Sequence, residues 1–250
     1  MTDVDGLSAS TRWQSATVRQ ITRQTPLITT FRLKLETPIH FIPGQHADVR
    51  LTAPDGYQAI RSYSITDVAD GDAEIELAIE RLPDGEVSPF FHDVVVVGDI
   101  IEARAALGGH FICQVTSTAP ALMVGAGSGV APFIAMLRGR ARQPSPPPAA
   151  LLLSARTYED ILFQDELVQL AYRQDGLSVA FTLTREAPKR ASDFHGRINQ
   201  GSVANALKTL PAAPGTIWIC GSNAFVNAAV DTLLSAGQPA DIIKTERYGG

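Results

Sequence analysis

Apolar and polar residues alternate along residues 12–115 of the chain, and this alternation stops after residue 117. Segments 16–21, 28–33, 47–51 and 74–80 show the two-residue period of a strand that is buried on one face. Pro-Gly, Pro-Asp-Gly and Gly-Asp turns separate the segments. Several short strands joined by such turns predict a small antiparallel β-barrel.

The second half of the chain has a different pattern. Residues 121–124 form a continuous apolar run, which is typical of a strand covered on both faces. Further strands are expected at 151–153, 177–183, 216–220 and 242–244, with helices at 132–142, 159–172, 200–210 and 222–236. Alternating strands and helices predict a doubly wound parallel α/β sheet. The expected organisation is a tail (1–11), a β-barrel domain (12–116) and an α/β domain (117–250).

Composition narrows the class of protein. The 250 residues are 45% hydrophobic and 19% charged, which is typical of a globular chain, and the net charge of -5 argues against nucleic-acid binding. Cys113 and Cys220 are too few to ligate an iron–sulfur cluster. The sequence lacks a long apolar run and a secretory leader, so a cytoplasmic protein without a membrane span is expected.

Charge is distributed unevenly along the predicted barrel. Residues 12–50 contain six basic and two acidic residues, whereas residues 51–115 contain three basic and twelve acidic residues. This imbalance allows two faces of opposite sign, either of which could dock a protein partner. The alternative is a set of solvated strand faces with no such role.

Residues 61–64 (Arg-Ser-Tyr-Ser) form the first candidate site. The Arg61 guanidinium can bind a phosphate through two hydrogen bonds, the Tyr63 ring can stack on a flat ring system, and the Ser64 hydroxyl can reach a ring nitrogen. The motif alone is equally compatible with an ordinary strand that has an exposed arginine and a core tyrosine.

Two further elements suit a phosphate or a cofactor. In residues 85–89 (Gly-Glu-Val-Ser-Pro), Ser88 is expected to cap a helix whose first residue is Pro89, leaving free amides at the helix N-terminus. Residues 108–111 contain two adjacent glycines, which allow either close backbone approach to a ligand or a tight turn.

A glycine-rich loop, residues 127–132 (Gly-Ser-Gly-Val-Ala-Pro), follows the first strand of the second half. Such a loop lets backbone amides approach a pyrophosphate at the start of a helix. It differs from the dinucleotide fingerprint G-x-G-x-x-G because Pro132 stands where the third glycine would be.

These motifs, in this order, resemble the ferredoxin–NADP reductase family of flavoprotein reductases over residues 13–248. The resemblance implies a barrel that binds FAD, rather than FMN, and an α/β domain that binds NADPH, rather than NADH. It implies hydride transfer to the flavin and then electron transfer from a monomer to a separate ferredoxin, flavodoxin or oxygenase component. Reduction of free flavin, ferric chelates or quinones, and a non-catalytic regulatory subunit, are the alternatives.

The resemblance also assigns residues by position. The family's Cys-Gly segment beside the nicotinamide matches Cys220 and Gly221. Its C-terminal Glu-x-Tyr matches Glu246 and Tyr248. The resemblance implies that Glu246 takes part in a proton path with Ser64 and that the Tyr248 ring covers the flavin. The implied catalytic residues are Ser64, Cys220, Glu246 and Tyr248. The implied flavin ligands are Arg61, Ser62, Tyr63, Ser64, Gly85, Val87, Ser88, Gly109 and Phe111. The implied nucleotide ligands include Gly127, Ser128, Gly129, Pro132, Cys220, Gly221 and Tyr248, with no metal. The chain departs from the family at Ala105-Ala106, where a Gly-Pro pair is common.

Basic residues favour NADPH. NAD sites usually keep an acidic residue at the end of the second strand, for the ribose hydroxyls. Here that strand ends in Ser154 and Arg156, and the next ends in Thr184 and Arg185, with Arg197 nearby in sequence. Arginines suit a 2′-phosphate, although surface arginines without a ligand would give the same pattern.

Overall fold

The computed structural model describes residues 12–68, 73–113 and 117–248. The chain divides into two compact units, formed mainly by residues 12–113 and 117–248. The predicted tail, residues 1–11, lies outside the described residues. Within the described ranges, every helix is too short or too polar to cross a membrane.

The first unit is an antiparallel barrel. Its elements are β1 (Gln14–Arg23), β2 (Ile28–Leu35), β3 (His46–Thr52), β4 (Gln58–Ser64), β5 (Glu74–Glu80), α1 (Ser88–Asp93) and β6 (Ile100–Leu107). The strand order is β4-β3-β6-β1-β2-β5. An isolated antiparallel bridge between Ile65 and Leu77 joins the two edges, so the sheet closes and the predicted barrel is confirmed.

Alternating residues of the strands fill the barrel interior. Phe31 and Leu33 of β2 and Ile75 of β5 are fully buried, while the residues between them point outward. Helix α1 adds Phe91, whose ring meets Phe31 edge to face with centroids 5.0 Å apart. The sequence pattern does not reveal β6, because the small residues Ala103 and Ala105 form much of its buried face.

The barrel places opposite charges side by side. Arg32 of β2 lies opposite Glu76 of β5 and pairs with it at 3.3 Å. Arg50 of β3 lies opposite Glu102 of β6 and pairs with it at 2.6 Å. Residues that are segregated by sign along the sequence thus become neighbours in the sheet. At these two positions the register therefore produces strand faces that carry both signs, which agrees with the alternative of solvated strand faces.

The second unit is a six-stranded parallel sheet with helices. Its strands are β7 (Ala121–Ala126), β8 (Ala149–Ala155), β9 (Leu177–Leu183), β10 (Phe194–His195), β11 (Thr216–Ser222) and β12 (Ile243–Tyr248). Its helices are α2 (Ala131–Ala141), α3 (Gln164–Tyr172), α4 (Gln200–Lys208) and α5 (Asn223–Ser235), with 3₁₀ turns at Gly127–Val130 and Ala240–Ile242. All strand pairs are parallel, in the order β10-β9-β8-β7-β11-β12, which confirms the predicted α/β fold.

The strand order reverses direction between β7 and β11. In open parallel sheets a ligand binds outside the carboxyl ends of the strands at such a switch point. The glycine-rich loop follows β7 directly, and α5 follows β11, so both candidate nucleotide segments lie at this edge of the sheet.

Two elements differ from their predicted bounds by more than two residues at one end, whereas the other predicted elements agree within two residues at each end. Helix α3 begins at Gln164 rather than at residue 159, because Phe163 adopts a left-handed conformation (φ 56°) that a helix cannot continue through. Strand β12 extends to Tyr248 rather than ending at residue 244, because its polar residues pair in register with β11 up to Ser222.

Arg140 offers a test of packing in the second unit. Its guanidinium is 5% exposed and donates to an Asp175 carboxylate oxygen, to the Asp175 carbonyl and to the Pro147 carbonyl, each at 2.7 Å. We expect Arg140→Ala to lower the free energy of unfolding in urea by about 2–3 kcal/mol, since the half-buried Asp175 carboxylate loses its main partner. The exposed Arg173, 3.4 Å from the same carboxylate, is the control. Equal losses for Arg173→Ala and Arg140→Ala would contradict the prediction.

Candidate functional site

Two predicted flavin elements meet in the first unit. Arg61 Nη2 of β4 lies 2.7 Å from Glu86 Oε2, in the loop before α1. The other carboxylate oxygen accepts a hydrogen bond from the Tyr57 hydroxyl at 2.7 Å. The hydrogen bonds from Tyr57 and Arg61 hold the pKa of Glu86 below its usual range. The structure therefore brings the Arg61 motif and the 85–88 loop together, and it adds Glu86 and Tyr57, which the sequence did not single out.

The loop at residues 85–88 is tightly turned, and the predicted cap is wrong. Helix α1 begins at Ser88, and its cap residue, Val87, makes no side-chain cap bond. The Ser88 hydroxyl instead accepts the Leu82 amide at 3.1 Å, which closes the loop on itself. A Cβ at Gly85 would lie 2.8 Å from that hydroxyl, so a larger residue would have to shift the side chain that closes the loop.

The remaining residues of the 61–64 motif are held by the barrel wall. Tyr63 is half-buried and packs edge to face on Phe91 at 6.5 Å, and burial raises its pKa to about 12. The Ser62 hydroxyl donates to the buried Asp48 carboxylate at 2.5 Å, so this side chain already has a partner. Ser64 is half-buried at the end of β4, opposite His46 of β3.

The segment after β6 is fixed by one side chain. The Gln45 amide donates to the carbonyls of Ala106 and Gly108 at 3.0 and 2.9 Å. Ala106 has a φ of 61°, so the position where the family commonly has a Gly-Pro pair holds an alanine in a glycine-type conformation. Gly109 faces open space, which suits close approach of a ligand, whereas the Phe111 side chain is buried.

In the second unit, the glycine-rich loop packs directly on β11. A Cβ at Gly129 would lie 2.4 Å from the Cys220 carbonyl oxygen, so only glycine fits there. Gly127 is left-handed, with a φ of 54°. Pro132 lies in the first turn of α2, which begins one residue earlier than predicted, and Ser128 lies within the 3₁₀ turn. A loop without side chains at these two points fits a pyrophosphate.

The predicted C-terminal residues gather at the same edge. Glu246 of β12 lies in register with Cys220 of β11, which lies within the strand rather than after it. Glu246 Oε2 is buried and has no hydrogen-bond partner within the described chain, and burial raises the pKa of this carboxyl to about 7. Burial, and then the Glu246 charge, raise the pKa of the Cys220 thiol well above its usual value. The Tyr248 hydroxyl donates to the Ala126 carbonyl at 2.7 Å, at the end of β7.

A pocket of about 320 Å³ lies beside the carboxyl ends of β8 and β9. It brings together three predicted residues, Ser154, Thr184 and Arg197, and its apolar lining includes Phe225 of α5. The sequence did not point to Phe225. A Cβ at Gly221 would lie 2.5 Å from that ring, so the predicted Gly221 makes room for it.

Arg156 and Arg185 lie outside the pocket lining and are exposed. The Arg185 amide donates to the Arg156 carbonyl at 2.8 Å, so the two backbones are adjacent. Within the described residues, the side chains of Arg156, Arg185 and Arg197 form no ion pair with an acidic side chain. Three uncompensated guanidinium groups therefore belong to the loops at this edge.

Each of the two units matches a known protein domain family. Residues 15–112 match an oxidoreductase FAD-binding domain, and residues 123–231 match an oxidoreductase NAD-binding domain. Ferredoxin–NADP reductase B of Sorangium cellulosum (strain So ce56) is 31% identical over 215 residues, which are 83% of this chain and 85% of that relative. The chain belongs to the ferredoxin–NADP reductase family. Its two matched segments are the FAD-binding and NAD-binding domains of oxidoreductases.

This member of the ferredoxin–NADP reductase family is also similar to an oxygenase-system reductase component and to a solved FAD/NAD-binding domain. The ferredoxin–NAD(P)(+) reductase component of naphthalene 1,2-dioxygenase/salicylate 5-hydroxylase systems from a Ralstonia species is 32% identical over 216 residues. These cover 85% of this chain but only 62% of the relative's length. The flavohem-like FAD/NAD-binding domain of nitric oxide dioxygenase from Vibrio cholerae O1 biovar El Tor superposes with a TM-score of 0.83 at 25% identity, covering 95% of this chain and 99% of that one.

Proposed function

We propose that the enzyme takes electrons from NADPH in preference to NADH and passes them through FAD to a separate protein acceptor, such as an oxygenase component, a ferredoxin or a flavodoxin. The observation that carries the nucleotide preference is the unpaired Arg197 in the lining of the 320 Å³ pocket, together with the exposed, unpaired Arg156 and Arg185 in the loops after β8 and β9. The names of two similar proteins, a ferredoxin–NADP reductase and an oxygenase-system reductase component, support the class of acceptor.

The end of β8 supports NADPH over NADH. An acidic side chain there would bind the ribose hydroxyls of NADH and repel a phosphate. This chain has Ser154 at that position, with Thr184 and Arg197 lining the same pocket. Hydroxyl donors and a guanidinium suit the 2′-phosphate that distinguishes NADPH.

The residues on the flavin side fit the cofactor. Arg61 and the 85–88 loop would hold a phosphate, Tyr63 and Ser64 would flank the ring, and Gly109 would allow close backbone approach. Bound FAD accepts a pair of electrons from a nicotinamide and releases them singly. The task of the protein is to hold both ligands and to keep water away from them.

The chain's own acid–base groups have distinct parts in this proposal. Burial keeps the Cys220 thiol protonated, so this side chain presents a neutral surface to the nicotinamide. Glu246 holds a proton on its carboxyl at pH values below about 7 and gives it up above that value. The Tyr248 hydroxyl donates to the Ala126 carbonyl, which holds this side chain beside the start of the glycine-rich loop.

An anaerobic titration with NADPH and NADH, followed by the visible absorbance of the flavin, tests the nucleotide preference. We expect NADPH to bleach the flavin at lower concentration. Arg197→Ala should raise the NADPH concentration at half-bleaching by about 10- to 50-fold, since a charge-assisted hydrogen bond to a phosphate is lost. The NADH value should stay unchanged, and Lys208→Ala, an exposed cation elsewhere on this unit, should change neither. Equal effects of Arg197→Ala on both nucleotides would overturn the phosphate role.

A further inference from the structure

The Asp193 carboxylate is a buried anion that accepts hydrogen bonds from three stretches of the second unit. Its side chain is 0% exposed. Arg190 Nε and Nη2 donate to its two oxygens at 2.8 and 2.6 Å, and the Tyr158 hydroxyl donates at 2.7 Å. The Phe181 amide of β9 adds a bond at 3.0 Å. Burial alone would raise the pKa of Asp193, but these hydrogen bonds hold it below its usual value, so the carboxylate stays charged.

Tyr158 joins the loop after β8 to the loop after β9. Its hydroxyl accepts the Lys189 amide at 2.6 Å, and its own amide donates to Glu186 Oε2 at 2.8 Å. The other Glu186 oxygen lies 2.6 Å from Lys189 Nζ, which sits 4.6 Å from the centre of the Tyr158 ring. Tyr158 and Asp193 therefore form a clasp that holds the two loops together.

The proposed phosphate-binding arginines lie next to the clasp along the chain. Arg156 lies two residues before Tyr158. Arg197 lies four residues after Asp193. Arg185 belongs to the loop after β9, and its amide donates to the Arg156 carbonyl at 2.8 Å. The three arginine side chains are exposed, so the backbone that the clasp holds decides where each guanidinium can reach.

We infer that Tyr158 and Asp193 are positioning residues that set the preference for NADPH over NADH. This inference rests on the proposed function, in which the arginines bind the 2′-phosphate. A loop that is already ordered loses little conformational entropy when a ligand binds, whereas a loose loop must be ordered by the ligand. NADH has no 2′-phosphate to contact the arginines, so its binding should not depend on the clasp.

Two substitutions open the clasp to different extents. Tyr158→Phe removes the hydroxyl and its two hydrogen bonds but keeps the ring. We expect it to raise the dissociation constant of NADP⁺ about 5- to 10-fold, the factor that one hydrogen bond of ordinary strength corresponds to. Asp193→Asn places an NH₂ group against the donors of Arg190 and Tyr158. It should raise the same constant by at least about 10-fold, because charge-assisted bonds are lost.

Equilibrium titration of the FAD-loaded full chain with NADP⁺ and with NAD⁺, followed by the difference absorbance of the flavin, tests the inference. The dissociation constant of NAD⁺ should change less than about twofold in both clasp variants. Tyr172→Phe removes a tyrosine hydroxyl from a residue that is 76% exposed at the end of α3, and it should change neither constant.

Arg140→Ala separates positioning from a general loss of stability. Arg140 bonds to Pro147 and Asp175, which precede β8 and β9, so it holds the opposite edge of the sheet. This variant should unfold more easily than the parent and still keep the parent ratio of NADP⁺ to NAD⁺ dissociation constants.

A variant that lacks both Arg185 and Arg197 shows whether the clasp acts through the arginines. Arg185→Ala combined with Arg197→Ala should weaken NADP⁺ binding strongly. Adding Tyr158→Phe to this variant should then have little further effect, because residues that act through one another are not additive.

The outcomes separate the inference from the function beneath it. If the double arginine variant binds NADP⁺ as the parent does, the phosphate role of the arginines is wrong, and the inference fails with it. If that variant loses NADP⁺ affinity while Tyr158→Phe behaves like Tyr172→Phe, the phosphate role stands and the clasp has no positioning role. Equal weakening of NADP⁺ and NAD⁺ by Tyr158→Phe, or an equal change of their ratio in Arg140→Ala, would also overturn the inference.

Discussion

Gly129→Ala should weaken NADPH binding by at least about 50-fold and lower the free energy of unfolding by about 1–3 kcal/mol. The added methyl group would sit 2.4 Å from the carbonyl oxygen of Cys220, and both partners in that clash are backbone. Backbone atoms cannot rotate away as the end of a long side chain can. The glycine-rich loop must therefore move off β11, and its amides lose their alignment with a pyrophosphate.

Thermal unfolding and the anaerobic NADPH titration measure the two effects of Gly129→Ala separately. Gly201→Ala is the control, because Gly201 lies in the first turn of α4, where alanine is the better helix former. It should leave NADPH binding unchanged and keep or raise the melting temperature. If Gly129→Ala binds NADPH as the parent does, the loop is not the pyrophosphate site that we propose.

Glu246→Gln should make the protein more stable than the parent at pH 8 by about 3 kcal/mol and equally stable near pH 4. The folded state raises the pKa of this carboxyl from 4.5 to about 7. Between these values the folded state binds more protons than the unfolded state, so the stability of the parent falls as pH rises. Glutamine, which is neutral throughout, abolishes that dependence. Urea unfolding at several pH values measures it, with the exposed Glu159→Gln as control.

The same substitution should lower turnover by about 100-fold if the Glu246 carboxyl supplies a proton. Parent activity should then decline as pH rises through about 7, because the protonated carboxyl is lost, and the variant should show no such decline. Stability curves of parent and variant that run parallel would contradict the raised pKa. A variant with full activity would contradict the proton role while leaving the raised pKa intact.

Local signals in the sequence predict most of the fold. Strands with a clear apolar period and turns that contain glycine or proline need no distant partner to be recognised, so β5 and β9 have their predicted bounds. The sequence predicts a shorter β12 because Glu246 and Arg247 are polar, and only pairing with β11 makes them part of the sheet. The sequence places Tyr248 near the end of the chain but cannot show its bond to Ala126.

In the candidate site, too, the sequence does not reveal contacts between residues that are distant along the chain. The sequence assigns both Arg61 and the 85–88 loop to a flavin, yet the contact of Arg61 with Glu86 depends on the closure of the barrel. The predicted cap at Ser88 is wrong because its hydroxyl has a better-placed donor, the Leu82 amide, in the folded loop. The sequence does not single out Phe225, because an aromatic residue in an apolar helix has no local feature that marks it as part of a pocket.

The pairing of Arg32 with Glu76 and of Arg50 with Glu102 affects how another protein can approach the barrel. Each couple is a short dipole whose field fades within about 10 Å at physiological salt. The barrel wall at these two pairs therefore exerts little pull on a distant charged protein. For an acceptor that docks here, we expect collision at the unsteered rate of about 10⁵–10⁶ M⁻¹s⁻¹ and recognition by contacts formed only after the surfaces touch.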